Sequence, residues 1–84
     1  MEWTVVLAGP ARKALKRIPT IDRTRILAAL AEMQQNPFQG DLRKLQGLPG
    51  SRRQVGSWRI FFEAMPEQRR VVIAAIEQRT STTY

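Results

Sequence analysis

The stretch SWRIFFEA constrains the fold more than any other part of this chain. Successive side chains of a β-strand point to opposite faces, so Trp58, Ile60 and Phe62 are expected on one face of a strand. These three are large and apolar, and we assign them to the core. Arg59 and Phe61 then share the open face, where a guanidinium group and an aromatic ring can contact a phosphate and stack on a base.

Three further segments are predicted strands. Residues 2–8 are rich in β-branched and aromatic side chains, and residues 52–55 and 69–77 are the other two candidates. The first ends at a Gly-Pro pair, which interrupts regular structure. Residues 65–68, MPEQ, are expected to form the hairpin loop before the last strand. The second half of the chain therefore reads as a three-stranded antiparallel meander.

Two amphipathic helices are predicted between the opening strand and the meander, over residues 11–18 and 21–35. Pro10 suits the first turn of a helix, and Pro19 separates the two. Apolar residues recur at spacings of three and four, and we expect these to face the core: Ala11, Ala14, Leu15 and Ile18 in the first helix, and Ile26, Leu27, Leu30 and Met33 in the second. The short connection favours an antiparallel helical hairpin packed on the sheet.

Residues 36–50 contain three glycines and two prolines and are expected to form an irregular connection, in which a short strand could begin near Leu42. The predicted fold class is α+β. It has one N-terminal strand, the two-helix hairpin and the three-stranded meander in one mainly antiparallel sheet. At 84 residues the chain is expected to form one domain, residues 1–84.

Composition narrows the chemistry that this domain can perform. The 84 residues include no cysteine and no histidine, which removes disulfides, thiolate nucleophiles and the usual zinc ligands. Without a signal peptide or a long apolar run, the chain is expected to be cytoplasmic and free of the membrane. Lys and Arg number 14 against 7 Asp and Glu, a formal charge of +7 that favours a polyanionic partner. Most of these cations are arginines, whose planar guanidinium suits bidentate phosphate contacts.

The sequence resembles the RelE/ParE superfamily of toxins from bacterial type II toxin–antitoxin pairs, closer to the RelE-like mRNA interferase branch. The resemblance covers nearly the whole chain and rests on ARKALKRI, the NP after the second helix, LRKLQGLPG, RRQVGSWRIFFE and VVIAAIEQRTSTTY. RRQVGSWRIFF is the most specific of these stretches, because the family typically has basic residues, Val-Gly and an aromatic-Arg pair there. The resemblance implies the RelE-like microbial RNase fold.

The resemblance also implies an activity, metal-independent endoribonuclease cleavage of mRNA on the ribosome, in which a ribose 2′-hydroxyl attacks the adjacent phosphate. It assigns Arg52, Arg59, Arg79 and Tyr84 to the catalytic site. Well-placed guanidinium groups can stabilise the charge that develops on the phosphate oxygens, by about 3 to 4 kcal/mol for each donor. Arginine stays protonated and cannot act as a base. Tyr84 is the one tyrosine of the sequence and is therefore the tyrosine available for proton transfer.

Other cations and one aromatic residue are expected to contact RNA or the ribosome: Arg12, Lys13, Lys16, Arg17, Lys44, Arg53 and Phe61. Strand alternation would place Arg53 on the face opposite Arg52 unless a bulge intervenes. The expected partners are the ribosome, mRNA and an acidic cognate antitoxin, with no metal and no small-molecule cofactor.

Two alternatives remain open, because Gln54 occupies a position that is usually basic in the RNA-cleaving branch. One is a ParE-like inhibitor of DNA gyrase without RNase activity. The other is a catalytically degenerate toxin that binds ribosomes or RNA without cleaving.

Overall fold

The computed structural model describes residues 2–79, which form two helices and five strands. A single 3-10 turn, Pro66–Gln68, joins the last two strands. In chain order the elements are β1 (Thr4–Leu7), α1 (Gly9–Arg17), α2 (Thr20–Gln35), β2 (Leu42–Lys44), β3 (Ser51–Val55), β4 (Trp58–Met65) and β5 (Arg70–Gln78). Neither helix is long and apolar enough to span a membrane, within the part of the chain described.

The five strands form one mixed sheet in the order β1-β5-β4-β3-β2. The predicted meander is confirmed, because β3, β4 and β5 pair antiparallel in succession. The short strand expected near Leu42 is present as Leu42–Lys44, antiparallel to β3, and it adds a fifth strand to the four of the predicted fold. The sheet differs from the prediction in being mixed, because β1 lies parallel to β5 at the other edge. A chain that leaves β1 through two helices reaches the far end of the sheet, which permits this parallel pairing.

The core lies between the helices and one face of the sheet. Ile60 and Phe62 are buried as predicted, and they belong to one continuous apolar cluster with side chains from both helices and from β5. Trp58 is half-buried against this cluster, and its indole N–H donates to Asp22 Oδ2 at 3.1 Å. This bond joins the first turn of α2 to the start of β4.

Both helices pack mainly on strands, α1 on β5 and β1, and α2 on β1 and β3. The buried stripe of α2 differs from the predicted one at a single place. Ala29 is buried, whereas Leu27 is 47% exposed. An alanine permits close approach of α2 to the sheet, and Leu27 lies on the flank of the stripe.

A bulge in β5 changes which of its side chains face the core. Phe61 pairs with Ala75 and Phe62 pairs with Ile73, so Ala74 has no partner on β4. The extra residue shifts the alternation by one position, which leaves both Ile73 and Ile76 buried. Beyond the bulge, β5 side chains that face away from the helices again lie opposite β4 side chains on the same face.

Arg53 is a charged residue on the buried face of β3. It is 8% exposed, its guanidinium donates to the carbonyl of Ala29 at 3.3 Å, and it forms an ion pair with Glu32. Strand alternation separates it from Arg52, and the register of β3 on β4 is regular there. The prediction that Arg53 contacts RNA is therefore wrong, because its charge is used to hold α2 against the sheet.

Candidate functional site

A small open pocket of about 160 Å³ lies on the sheet face that the helices leave uncovered. It sits over the antiparallel strands β2, β3 and β4, next to the end of β5. Its lining is polar and mostly cationic, and it consists of Asp41, Arg43, Arg52, Gln54, Arg59 and Arg79. Three of the four residues predicted to be catalytic are thus brought together.

Strand register explains why these side chains meet. Arg43 lies opposite Arg52 across β2 and β3, and Gln54 lies opposite Arg59 across β3 and β4. Directly opposed residues on one face have Cβ atoms about 4.5 to 5.5 Å apart. Asp41 is one step before β2, and its carbonyl accepts the Gln54 backbone N–H at 3.0 Å. Asp41, Gln54 and Arg59 therefore form one row across the open face.

Arg59 is half-buried in this pocket and lacks a partner for one of its donors. Its Nε is buried, and no group among the described residues accepts a hydrogen bond from it. Glu77 is opposite it on β5 and Glu63 is on its own strand, yet neither forms an ion pair with it. The single ion pair within residues 2–79 is that of Arg53 with Glu32. The Arg59 guanidinium thus has no counter-charge among the described residues, and an anion bound in the pocket can supply one.

Arg79 follows β5 and is fixed through its backbone. Its N–H donates to the carbonyl of Ser57 at 2.6 Å, which places the residue beside the turn between β3 and β4 and lets its side chain line the pocket. Tyr84, the fourth predicted catalytic residue, lies outside the described residues.

Gln54 faces Arg59 from the position that is usually basic. Its side-chain Nε2 donates to the carbonyl of Gly56 at 2.6 Å. The amide therefore supports the turn between β3 and β4, whose Gly56 has a φ of +59°. It contributes no charge to the pocket.

The remaining predicted RNA contacts are distributed over the surface. Phe61 is half-buried on the open face and lies opposite Arg52. Lys44 borders a shallow depression that shares Arg43 and Arg52 with the pocket. The cations of α1 are exposed on the helix layer, across the sheet from the pocket: Arg12, Lys13, Lys16 and Arg17.

Sequence reasoning missed two residues of the pocket, Arg43 and Asp41. The segment Asp41-Leu42-Arg43 does carry the period-two pattern of a strand, with a half-buried leucine between two exposed charged residues. Assigning β2 from this pattern would have placed both charged side chains on the open face.

The electrostatics of the pocket favour an anion. Among the described residues, the lining contains four guanidinium groups and one carboxylate, that of Asp41. No group of three or more potential metal-binding side chains of the kinds His, Cys, Asp and Glu occurs within residues 2–79. Fork-shaped guanidinium donors on neighbouring strands can bind two oxygens of one phosphate.

Solved structures with the same architecture identify the fold. A chain of the archaeal RelE–RelB complex from Pyrococcus horikoshii superposes with a TM-score of 0.83 at 20% identity, covering 98% of this chain and 100% of that one. The chain has the RelE fold. The isolated RelE toxin of E. coli matches with a TM-score of 0.82 at 16% identity, covering 95% of this chain and 87% of that one.

A further solved structure matches this chain at a higher sequence identity than the two above. The RelB–RelE antitoxin–toxin complex from Methanococcus jannaschii has a TM-score of 0.73 at 24% identity and covers 88% of this chain and 90% of the matched chain. No protein-family model matches the sequence, and no curated protein matches it significantly. The resemblance noted in the sequence motifs is thus confirmed at the level of the RelE fold.

Proposed function

We propose that this chain is the toxin of a type II toxin–antitoxin pair and that it inhibits translation by cutting mRNA on the ribosome. The observation that carries the proposal is the buried, unpartnered Nε of Arg59 in a pocket lined by four arginines. The RelE fold supports it, since the isolated E. coli protein of this fold is a toxin. Each nucleotide of RNA carries a phosphate, the kind of anion that arginine side chains bind.

In the proposed reaction, Arg52, Arg59 and Arg79 contact the non-bridging oxygens of the scissile phosphate. In-line attack by the 2′-hydroxyl concentrates negative charge on these oxygens, and preorganised guanidinium groups stabilise the transition state more than the ground state. The pocket lies on the antiparallel part of the mixed sheet, and the core is on the other face, so its donors are held by rigid strands. The exposed cations of α1 would add sequence-independent affinity for ribosomal RNA.

The proposed partner in the resting state is an acidic antitoxin. Structures from Pyrococcus horikoshii and Methanococcus jannaschii contain RelE together with RelB. A chain with a formal charge of +7 and an open cationic face offers such a protein a complementary surface.

Replacing Arg59 by alanine tests the proposal. Purified protein is added to an in vitro translation reaction, and primer extension maps breaks in the reporter mRNA. We expect the wild-type chain to cleave within codons of the translated region, and R59A to cleave about 100- to 1000-fold more slowly while melting as the wild type does. Arg70→Ala is the matched control, because Arg70 is an exposed arginine at the far end of β5.

A second candidate function is supported by Gln54, whose neutral side chain is bound to Gly56 beside Arg59. On this alternative the chain binds ribosomes without cleaving. Intact mRNA with wild-type protein sedimenting on ribosomes would favour it over the nuclease. Intact mRNA with accumulated gyrase–DNA breaks would instead favour a ParE-like inhibitor.

A further inference from the structure

Cleavage of RNA at this pocket needs a group that can accept a proton from the attacking 2′-hydroxyl. Among residues 2–79, six side chains line the pocket, and four of them are arginines, which remain protonated in proteins. A fifth is the amide of Gln54, which has no basic atom. Asp41 is the remaining one, and its carboxylate can accept a proton.

The Asp41 carboxylate is free to act. It forms no ion pair with any described residue, although Arg43 and Arg52 line the same pocket. The side chain is exposed, and it occupies the same row of the open face as Arg59, with Gln54 between them. A phosphate bound at Arg59 would therefore have a carboxylate on one flank and guanidinium groups around it.

The backbone at Asp41 is held in place from two sides. Its carbonyl accepts the N–H of Gln54 at 3.0 Å, which extends the ladder between β2 and β3 by one residue. The preceding residue, Gly40, has a φ of +94°, and a Cβ there would lie 2.8 Å from Nε of Arg53. The chain thus runs closely over a guanidinium that is itself anchored to α2. This close approach leaves no room for a side chain at residue 40, directly before Asp41.

We propose that Asp41 is the general base of the RNA cleavage reaction, an inference that rests on the proposed function. A carboxylate oxygen of Asp41 takes the proton of the 2′-hydroxyl while the 2′-oxygen forms its bond to phosphorus. The bond between phosphorus and the 5′-oxygen breaks, and the departing 5′-oxygen takes a proton from water. Asp41 then releases its proton to solvent. The products carry a 2′,3′-cyclic phosphate and a 5′-hydroxyl.

In this arrangement Arg53 and Gly40 are positioning residues. Neither lines the pocket, and both act through the backbone that presents the carboxylate. The proposal also accounts for a neutral residue at Gln54, since a base supplied by the residue before β2 makes a second basic side chain on β3 unnecessary.

The test compares single-turnover cleavage of ribosome-bound mRNA by the wild type, Asp41→Asn and Asp41→Glu, with ribosome association measured in parallel by sedimentation. We expect D41N to lower the cleavage rate about 100-fold or more while association changes less than about twofold, because the isosteric amide cannot accept the proton. D41E should recover part of the rate. Glu63→Gln is the control, since Glu63 is an exposed carboxylate at the other end of the open face.

Wild-type cleavage by D41N would overturn the inference and leave the proposed function standing. Parallel loss of association and cleavage in D41N would assign Asp41 to binding and likewise overturn it. Absence of cleavage by the wild type would overturn the proposed function, and the inference with it.

Discussion

At the scale of single residues, neighbouring arginines in β3 have opposite roles. Arg52 faces the pocket, whereas Arg53 is buried and holds α2 through Ala29 and Glu32. Side-chain alternation alone decides between the two roles. The same residue type, one position apart, thus lines the pocket in one case and packs against α2 in the other.

This division predicts different stability costs for the two arginines. Arg53→Ala should lower the free energy of unfolding by about 2 kcal/mol, because a buried side chain and its bond to a helix carbonyl are lost. The loss is limited because Glu32 is mostly exposed and can be hydrated when its partner is removed. Arg52→Ala should change the free energy by less than about 0.5 kcal/mol. Urea denaturation monitored by tryptophan fluorescence measures both, and equal costs would contradict the structural role of Arg53.

At the scale of elements, the sequence predicted both helices and the meander because their patterns are long and periodic. It could not assign the partner of β1, since parallel pairing depends on contacts far apart in the chain. A short strand could be expected near Leu42, but its pairing with β3 depends on register, and that is why Arg43 and Asp41 were missed. Arg59 and Arg52 could be predicted from a local motif, whereas their convergence with Arg79 depends on the register of β5.

The bond between Trp58 and Asp22 links α2 to β4, and a double-mutant cycle should detect it. Asp22→Ala is expected to cost about 1 kcal/mol in the wild type and little in a Trp58→Phe background, because the phenyl ring has no N–H to donate. Thermal melts of the four proteins give the coupling energy. Glu67→Ala combined with Trp58→Phe should be additive, since Glu67 is in the turn at the other end of β4. An additive result for Asp22 would mean that the bond contributes nothing to stability.

At the scale of the whole molecule, the positive charge is divided between two surfaces. The pocket on the open face gathers four arginines, and α1 carries further exposed cations on the helix layer. The sheet separates these surfaces. Under the proposed function, the pocket binds the scissile phosphate while the helix layer remains free for other phosphates.

Ribosome or RNA association should consequently depend steeply on salt. If about four phosphates of single-stranded RNA are neutralised, the association constant should fall about 50-fold between roughly 50 and 200 mM salt, because bound counterions are released on binding. Fluorescence anisotropy with a labelled oligonucleotide measures the slope. Removing one pocket arginine should reduce the slope by about 0.7, and a flat salt profile would rule out phosphate contacts as the main source of affinity.

The separation of the pocket from the core has a genetic consequence under the proposed function. Cells that survive expression of this chain should carry missense changes of two kinds. Changes on the open face, such as those at Arg59, would leave a stable, full-length product that immunoblotting detects at normal abundance. Changes at core positions such as Ile60 would relieve growth arrest by depleting the protein itself, because unfolded chains are removed by cellular proteases. The amount of this protein in surviving cells would therefore distinguish mutations on the open face of the sheet from mutations on the core face.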